Sequence, residues 1–295
     1  MKKKILIIGG AGYIGSNIIP FLGKHDVFIY DRNRYSSPNS ICGSIIGEAG
    51  DSILLDSYIQ KIQPDFIFYS ISIFSTGCNN KIAKNIIGSL MKSIPNHTLV
   101  INLGSSSVYG IMEGNRKLVE ESDRVSPVSD YGKYKLFEEE LFRIYMKEFG
   151  KGVIFTRVFN VIGPKEPIRM VAGSFVRRLT DNKNKIEVGN IQSARDFIDI
   201  RDLGAALAKI AFHGKSGDIY NICSGRSITI NKLLEKIIDN MQINPDVITD
   251  MDRFKKNDIP CLVGNNKKIK KIIKWEPAIK LEKSIKDLIR SVENE

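Results

Sequence analysis

The chain has 295 residues, of which 44 are Lys or Arg and 33 are Asp or Glu, so its formal net charge is +11 at pH 7. Apolar residues make up 42% of the chain and charged residues 26%, which is typical of a folded globular protein and excludes a disordered or fibrous one. No stretch approaches about 18 consecutive apolar residues, so no membrane-spanning helix is predicted.

The distribution of cysteines and of basic residues argues against several further classes of protein, namely secreted, metal-binding and nucleic-acid-binding proteins. The apolar run at residues 5–8 is too short for a signal peptide, and the four cysteines form neither a CxxC pair nor a cluster with histidine. We therefore predict no metal site, no disulfide framework and a cytoplasmic location. The basic residues are spread along the chain, which favours solvated surfaces over a nucleic-acid or membrane partner. The densest stretch, 267–274, is predicted to be an amphipathic helix with Ile269, Ile272 and Ile273 on one face.

The predicted elements alternate between strand and helix in the first half of the chain. Strands are predicted at 4–8, 27–30, 66–69, 98–103 and 153–157, with helices from about Tyr13, from about Asn85 and over 131–149. After residue 163 the segments are shorter, with helices predicted at 174–180, 202–212, 230–240 and 281–292 and extended segments at 185–188 and 219–222. This alternation predicts an α/β fold with a Rossmann-type, doubly wound parallel sheet and a smaller C-terminal α/β lobe. We expect a dinucleotide-binding domain over 1–165 and a substrate-binding lobe over 166–295, some segments of which return to the main sheet.

A glycine-rich turn joins the first strand to the first helix. Its spacing is GxxGxxG, and such a turn brings backbone N–H groups close to a pyrophosphate. The turn contains five candidate cofactor-binding residues: Gly9, Gly12, Tyr13, Ile14 and Gly15. Asp31 ends the second strand 22 residues after Gly9, near the offset at which a carboxylate binds the adenosine ribose of NAD. We therefore predict NAD as the favoured cofactor, with NADP as the alternative because Arg32 follows Asp31.

Tyr131 and Lys135 form a Tyr-x-x-x-Lys pair on the long predicted helix. Four-residue spacing places both side chains on one helix face, where the ammonium of the lysine stabilises a phenolate. This arrangement makes Tyr131 a candidate acid or base near neutral pH. Ser105, Ser106 and Ser107 follow the fourth apolar run, and ligands of such sheets bind at the carboxyl ends of the strands.

Taken together, the motifs resemble those of the extended short-chain dehydrogenase/reductase family, the nucleotide-sugar epimerases, dehydratases and reductases. The segments GGAGYIG, SSSVYG, YGKYK, RVFNVIGP and RDFI occur in the order and spacing of that family. The resemblance extends over nearly the whole chain. It implies catalytic roles for Ser105, Tyr131 and Lys135, and a cofactor channel lined by Ser70, Ile71 and Ser72.

The resemblance also implies a site for the nucleotide-sugar substrate. Asn160 and Arg195 match residues that hold the diphosphate, a task that suits a guanidinium group. The 4,6-dehydratases of the family carry Asp-Glu where this chain has Ser106 and Ser107, so we argue against a dehydratase and expect these serines to contact the sugar. Members of the family usually have an acidic residue that contacts the adenine. In this chain Asp51 matches that residue by type and Ser44 matches it by position, and we leave the choice open.

The C-terminal segment resembles a pattern of GDP-4-dehydro-6-deoxy-mannose reductases, R-x-R-P-x-D-[IV]-P-x-L-x-G-D. It begins at Arg253, and it departs from the pattern at Lys255, Lys256 and Asn265. Lys255 still offers a cation to a phosphate and is a candidate substrate-binding residue, although it lacks the bidentate geometry of arginine.

These observations leave three hypotheses. The favoured one is an NAD(P)H-dependent reductase of a nucleotide-linked 4-dehydro-6-deoxy-hexose in deoxysugar biosynthesis, with GDP-linked substrate ahead of dTDP-linked. The second is a 4-epimerase of a UDP- or GDP-sugar that holds NAD tightly. The third is a catalytically silent dinucleotide-binding sensor, against which the intact Ser105, Tyr131 and Lys135 set speaks. The resemblance further implies a homodimer through a four-helix bundle built from the helix near Asn85 and the helix of Tyr131.

Overall fold

A computed structural model describes residues 1–37, 40–72, 80–112, 118–254 and 258–294. In chain order its strands are β1 (Lys4–Ile8), β2 (Asp26–Asp31), β3 (Gly43–Ile46), β4 (Phe66–Tyr69), β5 (Leu99–Ser105), β6 (Gly152–Val158), β7 (Asn160–Ile162), β8 (Lys185–Val188), β9 (Ala194–Arg195), β10 (Phe197–Asp199), β11 (Ile219–Ile222), β12 (Ile228–Thr229), β13 (Asp246–Thr249) and β14 (Cys261–Leu262). Its helices are α1 (Tyr13–Ile18), α2 (Ser52–Ile62), α3 (Asn80–Ser93), α4 (Asp130–Glu148), α5 (Val171–Asp181), α6 (Ile200–His213), α7 (Ile230–Met241), α8 (Lys267–Ile273) and α9 (Leu281–Glu293). Within these ranges, the helices are too short or too polar to cross a membrane.

The main sheet has seven strands in the order β11-β6-β5-β4-β1-β2-β3, and every neighbouring pair is parallel. The order reverses at β1, from which the chain moves first toward β3 and then toward β6, as in a doubly wound dinucleotide-binding fold. This architecture confirms the predicted fold class. Strand β11 comes from the second half of the chain and pairs with β6 in this sheet.

Both faces of the central strands of the main sheet are covered, which explains why β1 and β4 are apolar runs instead of alternating with polar residues. On one face Ile5 and Ile7 of β1 belong to a buried cluster that includes residues of α1, α6 and α8. On the other face Leu6 and Ile8 belong to a cluster with residues of α2, α3 and α4. Ile269, Ile272 and Ile273 lie in α8 at the predicted helical spacing. Ile269 and Ile273 are buried, whereas Ile272 is 40% exposed and lies at the edge of that face.

The remaining described strands form small sheets beside the carboxyl ends of the main strands. β7 pairs with β10, β9 pairs with β12 and β14, and β8 pairs with β13. A separate apolar cluster contains buried residues of helices α5, α7 and α9 and of strands β7, β8 and β10. The boundary at residue 165 remains a prediction, because strands from both sides of it share sheets.

Candidate active site

The turn after β1 has the geometry that a bound pyrophosphate requires. Gly9 has φ of +88°, in the region that favours glycine, and the Gly12 N–H donates to the Gly9 carbonyl at 3.2 Å. A Cβ atom added at Gly15 would overlap with the Gly9 carbonyl, so α1 can approach the turn only with glycine there. Tyr13 and Ile14 are the first residues of α1, which begins where the sequence predicts a helix.

Asp31 lies beside the same turn, at the carboxyl end of β2. Its Oδ2 accepts the Ala11 N–H at 2.9 Å, and its Oδ1 accepts the Asn33 N–H at 2.8 Å. The carboxylate is thus fixed by two backbone donors at the edge of the glycine turn, while Arg32 beside it is exposed. A carboxylate in this place suits the hydroxyl groups of an adenosine ribose, so the residues present fit a dinucleotide.

The segment after β4 closes the other side of the glycine turn. The Ser70 N–H donates to the Ile8 carbonyl at 2.9 Å, and the Ser70 hydroxyl lies 3.4 Å from the Gly9 carbonyl. The Ile71 side chain would meet a Cβ atom at Gly9 at 2.8 Å, whereas Ser72 is exposed. Ser70 and Ile71 therefore lie against the predicted cofactor site.

Asp51, a candidate for the contact with the adenine, follows β3 on the other side of β2. Its carboxylate caps α2 by accepting the Leu54 N–H at 3.0 Å.

The serine turn and the helix of Tyr131 meet at the carboxyl end of β5. Ser105 is the last residue of β5, and its hydroxyl oxygen is 2.8 Å from that of Ser107. Ser106 is only 6% exposed. A Cβ atom at Gly132 would lie 2.5 Å from the Ser107 carbonyl oxygen, so the first turn of α4 packs directly against the serine turn. The Ser129 hydroxyl caps α4 by accepting the Gly132 N–H at 3.0 Å.

Lys135 is buried beneath Tyr131 on α4. Lys135 is 4% exposed, whereas Tyr131 is 38% exposed. The Lys135 ammonium donates to Glu138 Oε2 at 2.7 Å and to the Leu103 carbonyl at 3.3 Å. Burial disfavours its charge, but the charges of Glu138 and Tyr131 outweigh burial and raise the pKa of Lys135 above its usual value. Lys135 therefore stays charged between the end of β5 and the tyrosine.

A second buried ion pair holds α4 on the main sheet. Glu139 accepts from Arg157 of β6 at 2.9 Å, and both side chains are 4% exposed. Arg157 also lies over the Tyr109 ring, 4.8 Å from its centroid. Burial opposes the charge of Glu139, yet its hydrogen bonds to Arg157 and Arg143 lower its pKa.

The predicted diphosphate residues lie on neighbouring small strands. Asn160 pairs with Phe197 across β7 and β10, and its backbone and side-chain nitrogens both donate to the Asp196 carbonyl, at 3.1 and 3.3 Å. Arg195 precedes Asp196 directly, so the fold brings Asn160 and Arg195 together. The Arg195 guanidinium donates to Asp258 at 2.6 Å and to the Ile259 carbonyl at 2.6 Å. Lys255 lies outside the described residues.

Three acidic residues of this region were not singled out from the sequence: Glu138, Asp196 and Asp258. Asp196 is fully buried and accepts from the backbone of Ser224, Gly225 and Gly264. Its partners are distant in sequence, so no local pattern reveals them. Glu138 does carry a signal, because it lies three residues after Lys135 on the same helix.

Comparison with known proteins places these features in one family. A model of the NAD dependent epimerase/dehydratase family matches residues 5–223. The chain is 28% identical to a GDP-6-deoxy-D-mannose reductase of Pseudomonas aeruginosa, over 100% of this chain and 98% of the relative. It is 26% identical to a GDP-6-deoxy-D-talose 4-dehydrogenase of Aggregatibacter actinomycetemcomitans, over 92% of this chain and 91% of the relative. The structure of a dTDP-glucose 4,6-dehydratase of Bacillus anthracis in complex with NAD superposes with a TM-score of 0.86 at 21% identity, over 99% of this chain and 97% of that one.

The comparisons confirm the resemblance found in the sequence, the fold class and an NAD-dependent enzyme. The family match covers well over half of the chain and includes the glycine turn, the serine turn, the helix of Tyr131 and Arg195. The chain belongs to the NAD dependent epimerase/dehydratase family.

Proposed function

We propose that this protein is an NAD(P)H-dependent reductase of a nucleotide-linked 4-dehydro-6-deoxy-hexose, with a GDP-linked substrate favoured over a dTDP-linked one. The observation that carries the proposal is the meeting of the serine turn with the Tyr131 helix beside the glycine turn. Its support in sequence is the full-length similarity to a GDP-6-deoxy-D-mannose reductase. The glycine turn and Asp31 would hold the dinucleotide, which when bound would supply a hydride for the ketone at C4 of the sugar.

The chain's own residues handle the proton and the sugar oxygen. Tyr131 is partly exposed and gives its phenolic proton to the oxygen at C4 as that oxygen gains negative charge. Ser105 donates a hydrogen bond to the same oxygen, and Ser107 holds the Ser105 hydroxyl at 2.8 Å. Lys135 stabilises the phenolate that remains after proton transfer.

The diphosphate of the substrate is assigned to Asn160, Arg195 and Lys255. Asn160 pairs with Phe197, two residues after Arg195, and a guanidinium together with an amide suits a diphosphate. Ser106 and Ser107 replace the acid and base that dehydration requires, and hydroxyl groups serve poorly in either role. Reduction therefore fits the serine turn better than 4,6-dehydration does.

The experiment is NADH and NADPH oxidation, followed by absorbance, with the 4-dehydro-6-deoxy sugars of GDP-mannose and dTDP-glucose generated in the assay. Oxidation with one of them supports the reductase and identifies its nucleotide. A protein that oxidises neither coenzyme but carries bound NAD supports instead the 4-epimerase, which recycles its cofactor. A panel of UDP- and GDP-sugars then identifies that substrate.

We also propose a homodimer formed by α3 and α4 of each subunit. The two helices pack together within one chain, where the Gly88 backbone faces Tyr145. On the outside of this pair Ile82 is 45% exposed and Ile144 is 56% exposed. A four-helix bundle buries such side chains. Sedimentation of the wild-type protein and of Ile144→Glu tests the dimer: a monomeric wild-type protein contradicts it.

A further inference from the structure

The strongest unassigned feature is a fully buried asparagine behind the serine turn. Asn221 lies on β11, at the edge of the main sheet. Its Oδ1 accepts from the Tyr109 hydroxyl at 2.6 Å, and its Nδ2 donates to the Val119 carbonyl at 3.1 Å. Its backbone N–H donates to Glu121 at 2.9 Å. A buried amide bonded in this way holds its partners in place, because leaving any of them unpaired is costly.

Tyr109 joins this asparagine to the serine turn. It follows the turn directly, and its N–H donates to the Ser106 carbonyl at 3.1 Å. The side chain is buried, with the Arg157 guanidinium 4.8 Å from the ring centroid and the Phe159 ring beside it. Packing therefore holds the ring, and the hydroxyl bond to Asn221 ties the end of the serine turn to a strand more than a hundred residues away in sequence.

The chain that leads from the serine turn to α4 is held at the same point. The Ser126 N–H donates to the Tyr109 carbonyl at 3.2 Å, and the Ser129 hydroxyl then caps α4. Tyr109 therefore contacts both the turn that contains Ser105 and the segment that leads into the helix of Tyr131. A displacement of Tyr109 would move these two candidate catalytic residues relative to each other.

We propose that Tyr109 and Asn221 are positioning residues of the reductase, whose hydrogen bond fixes the serine turn so that the Ser105 hydroxyl meets the oxygen at C4 of the sugar. This inference rests on the proposed function, in which Ser105 donates to that oxygen. A donor stabilises developing charge only from a fixed place, and a displacement of about 1 Å lowers the rate as much as about 100-fold. Because other residues are assigned to the diphosphate, loss of the bond should lower kcat and leave KM nearly unchanged.

The first test compares Tyr109→Phe with the matched control Tyr58→Phe. Tyr109→Phe keeps the packed ring and removes only the hydroxyl, so kcat for ketone reduction should fall about tenfold, with substrate KM and dinucleotide affinity within about twofold of wild type. Tyr58 is also buried, but its hydroxyl has no hydrogen-bond partner among the described residues. Tyr58→Phe should therefore leave kcat within about 1.5-fold of wild type. A kcat of Tyr109→Phe equal to that of the control overturns the proposal, whatever the variant does to Tm, and so does a change confined to KM.

A double-mutant cycle tests whether the two residues act through their common bond. Asn221→Leu removes the acceptor for Tyr109, while the Val119 carbonyl keeps the Asn265 N–H as a donor at 2.8 Å. We expect the kcat of Asn221→Leu and of the double variant with Tyr109→Phe to lie within about threefold of Tyr109→Phe alone. Independent effects would multiply to about 100-fold in the double variant, and that result overturns the proposal. Should Asn221→Leu fail to fold, the double variant still decides, because removing both partners of a buried hydrogen bond costs less than removing one.

Amide hydrogen exchange separates this proposal from the proposed function, because it needs neither substrate nor turnover. Peptides that cover residues 104–110 should exchange about fivefold or more faster in Tyr109→Phe than in Tyr58→Phe, while peptides of β1 exchange alike in both. In a protein that reduces a keto sugar, the kcat comparison decides. A wild-type protein that reduces neither keto sugar refutes the proposed function, and exchange at 104–110 then tests the support of the serine turn. Equal exchange in the two variants would in that case overturn the positioning role as well.

Discussion

Glu166 is a buried carboxyl group whose substitution should raise the stability relative to wild type as the pH increases. It is 6% exposed, and its Oε1 accepts the Gly173 N–H at 3.0 Å. Its Oε2 has no hydrogen-bond partner among the described residues. Burial raises the pKa of Glu166 to about 7 from an ordinary 4.5, although hydrogen bonds from backbone N–H groups act in the opposite direction.

The size and sign of the effect follow from this shift. A carboxyl group whose pKa is higher in the folded protein stabilises it fully below pH 4.5, and that contribution is lost as the pH rises to about 7. The difference of 7 − 4.5 = 2.5 units corresponds to about 3 kcal/mol of unfolding free energy. For a chain of 295 residues, the unfolding entropy is about 0.6 kcal/mol per kelvin, so the full effect is about 5 °C in Tm.

Thermal unfolding of Glu166→Gln at a series of pH values measures this effect. Glutamine keeps the acceptor for Gly173 and cannot ionise, so the Tm of the variant relative to wild type should rise by about 4 °C between pH 5 and pH 8. Glu140→Gln serves as the control, because Glu140 is exposed. A Tm difference that is the same at both pH values would refute the reasoning, whatever its size.

Four other substitutions test the site and its support. Tyr131→Phe should lower turnover at least about 100-fold and leave dinucleotide affinity unchanged, and a near-normal rate would exclude the role of acid. Asp31→Ala should reduce the preference for NAD over NADP about tenfold, measured as the ratio of their dissociation constants; an unchanged ratio would mean that another group sets it. Arg195→Ala should raise the substrate KM about tenfold or more with a smaller change in kcat, and an unaltered KM contradicts the diphosphate role. Glu139→Gln leaves the Arg157 charge buried without its partner and should destabilise the fold by about 3 kcal/mol in denaturant unfolding; a loss below about 1 kcal/mol contradicts the buried pair.

The first half of the fold could be predicted because its signals are local. Strands β1, β2 and β4 are continuous apolar runs buried on both faces, and the glycine turn follows β1 directly. Strand β3 and helix α2 were not predicted. Strand β3 is a half-exposed edge strand with the sequence GSII, too short to establish a period. Helix α2 buries Leu55, Tyr58, Ile59 and Ile62, which recur at helical spacing, so a local signal was present and was missed.

The small sheets beside the site could not be predicted from the sequence, because their strands are too short to carry a local pattern. Strands β9, β12 and β14 have two residues each, so pairing between distant segments defines them and no local pattern does. The run of glutamates at 138–140 is an intermediate case, because Lys135 on the same helix signals Glu138, whereas the partner of Glu139 is Arg157, which is distant in sequence. Glu138 and Glu139 are buried while Glu140 is exposed, and only the positions of Lys135 and Arg157 distinguish them.

Arg195 shows how such a pairing alters the meaning of a predicted residue. The resemblance assigns it to the diphosphate, yet its guanidinium already donates to Asp258 and to the carbonyls of Ala194 and Ile259. Among the described residues, these contacts use three of its five N–H donors, and two are not used by them. Asp258 belongs to the C-terminal segment that resembles the reductases, so the same segment that holds Arg195 also sets the charge beside it. Substrate affinity should therefore depend on this pair as a unit, and Arg195 is both a candidate ligand and the link between β9 and the C-terminal segment.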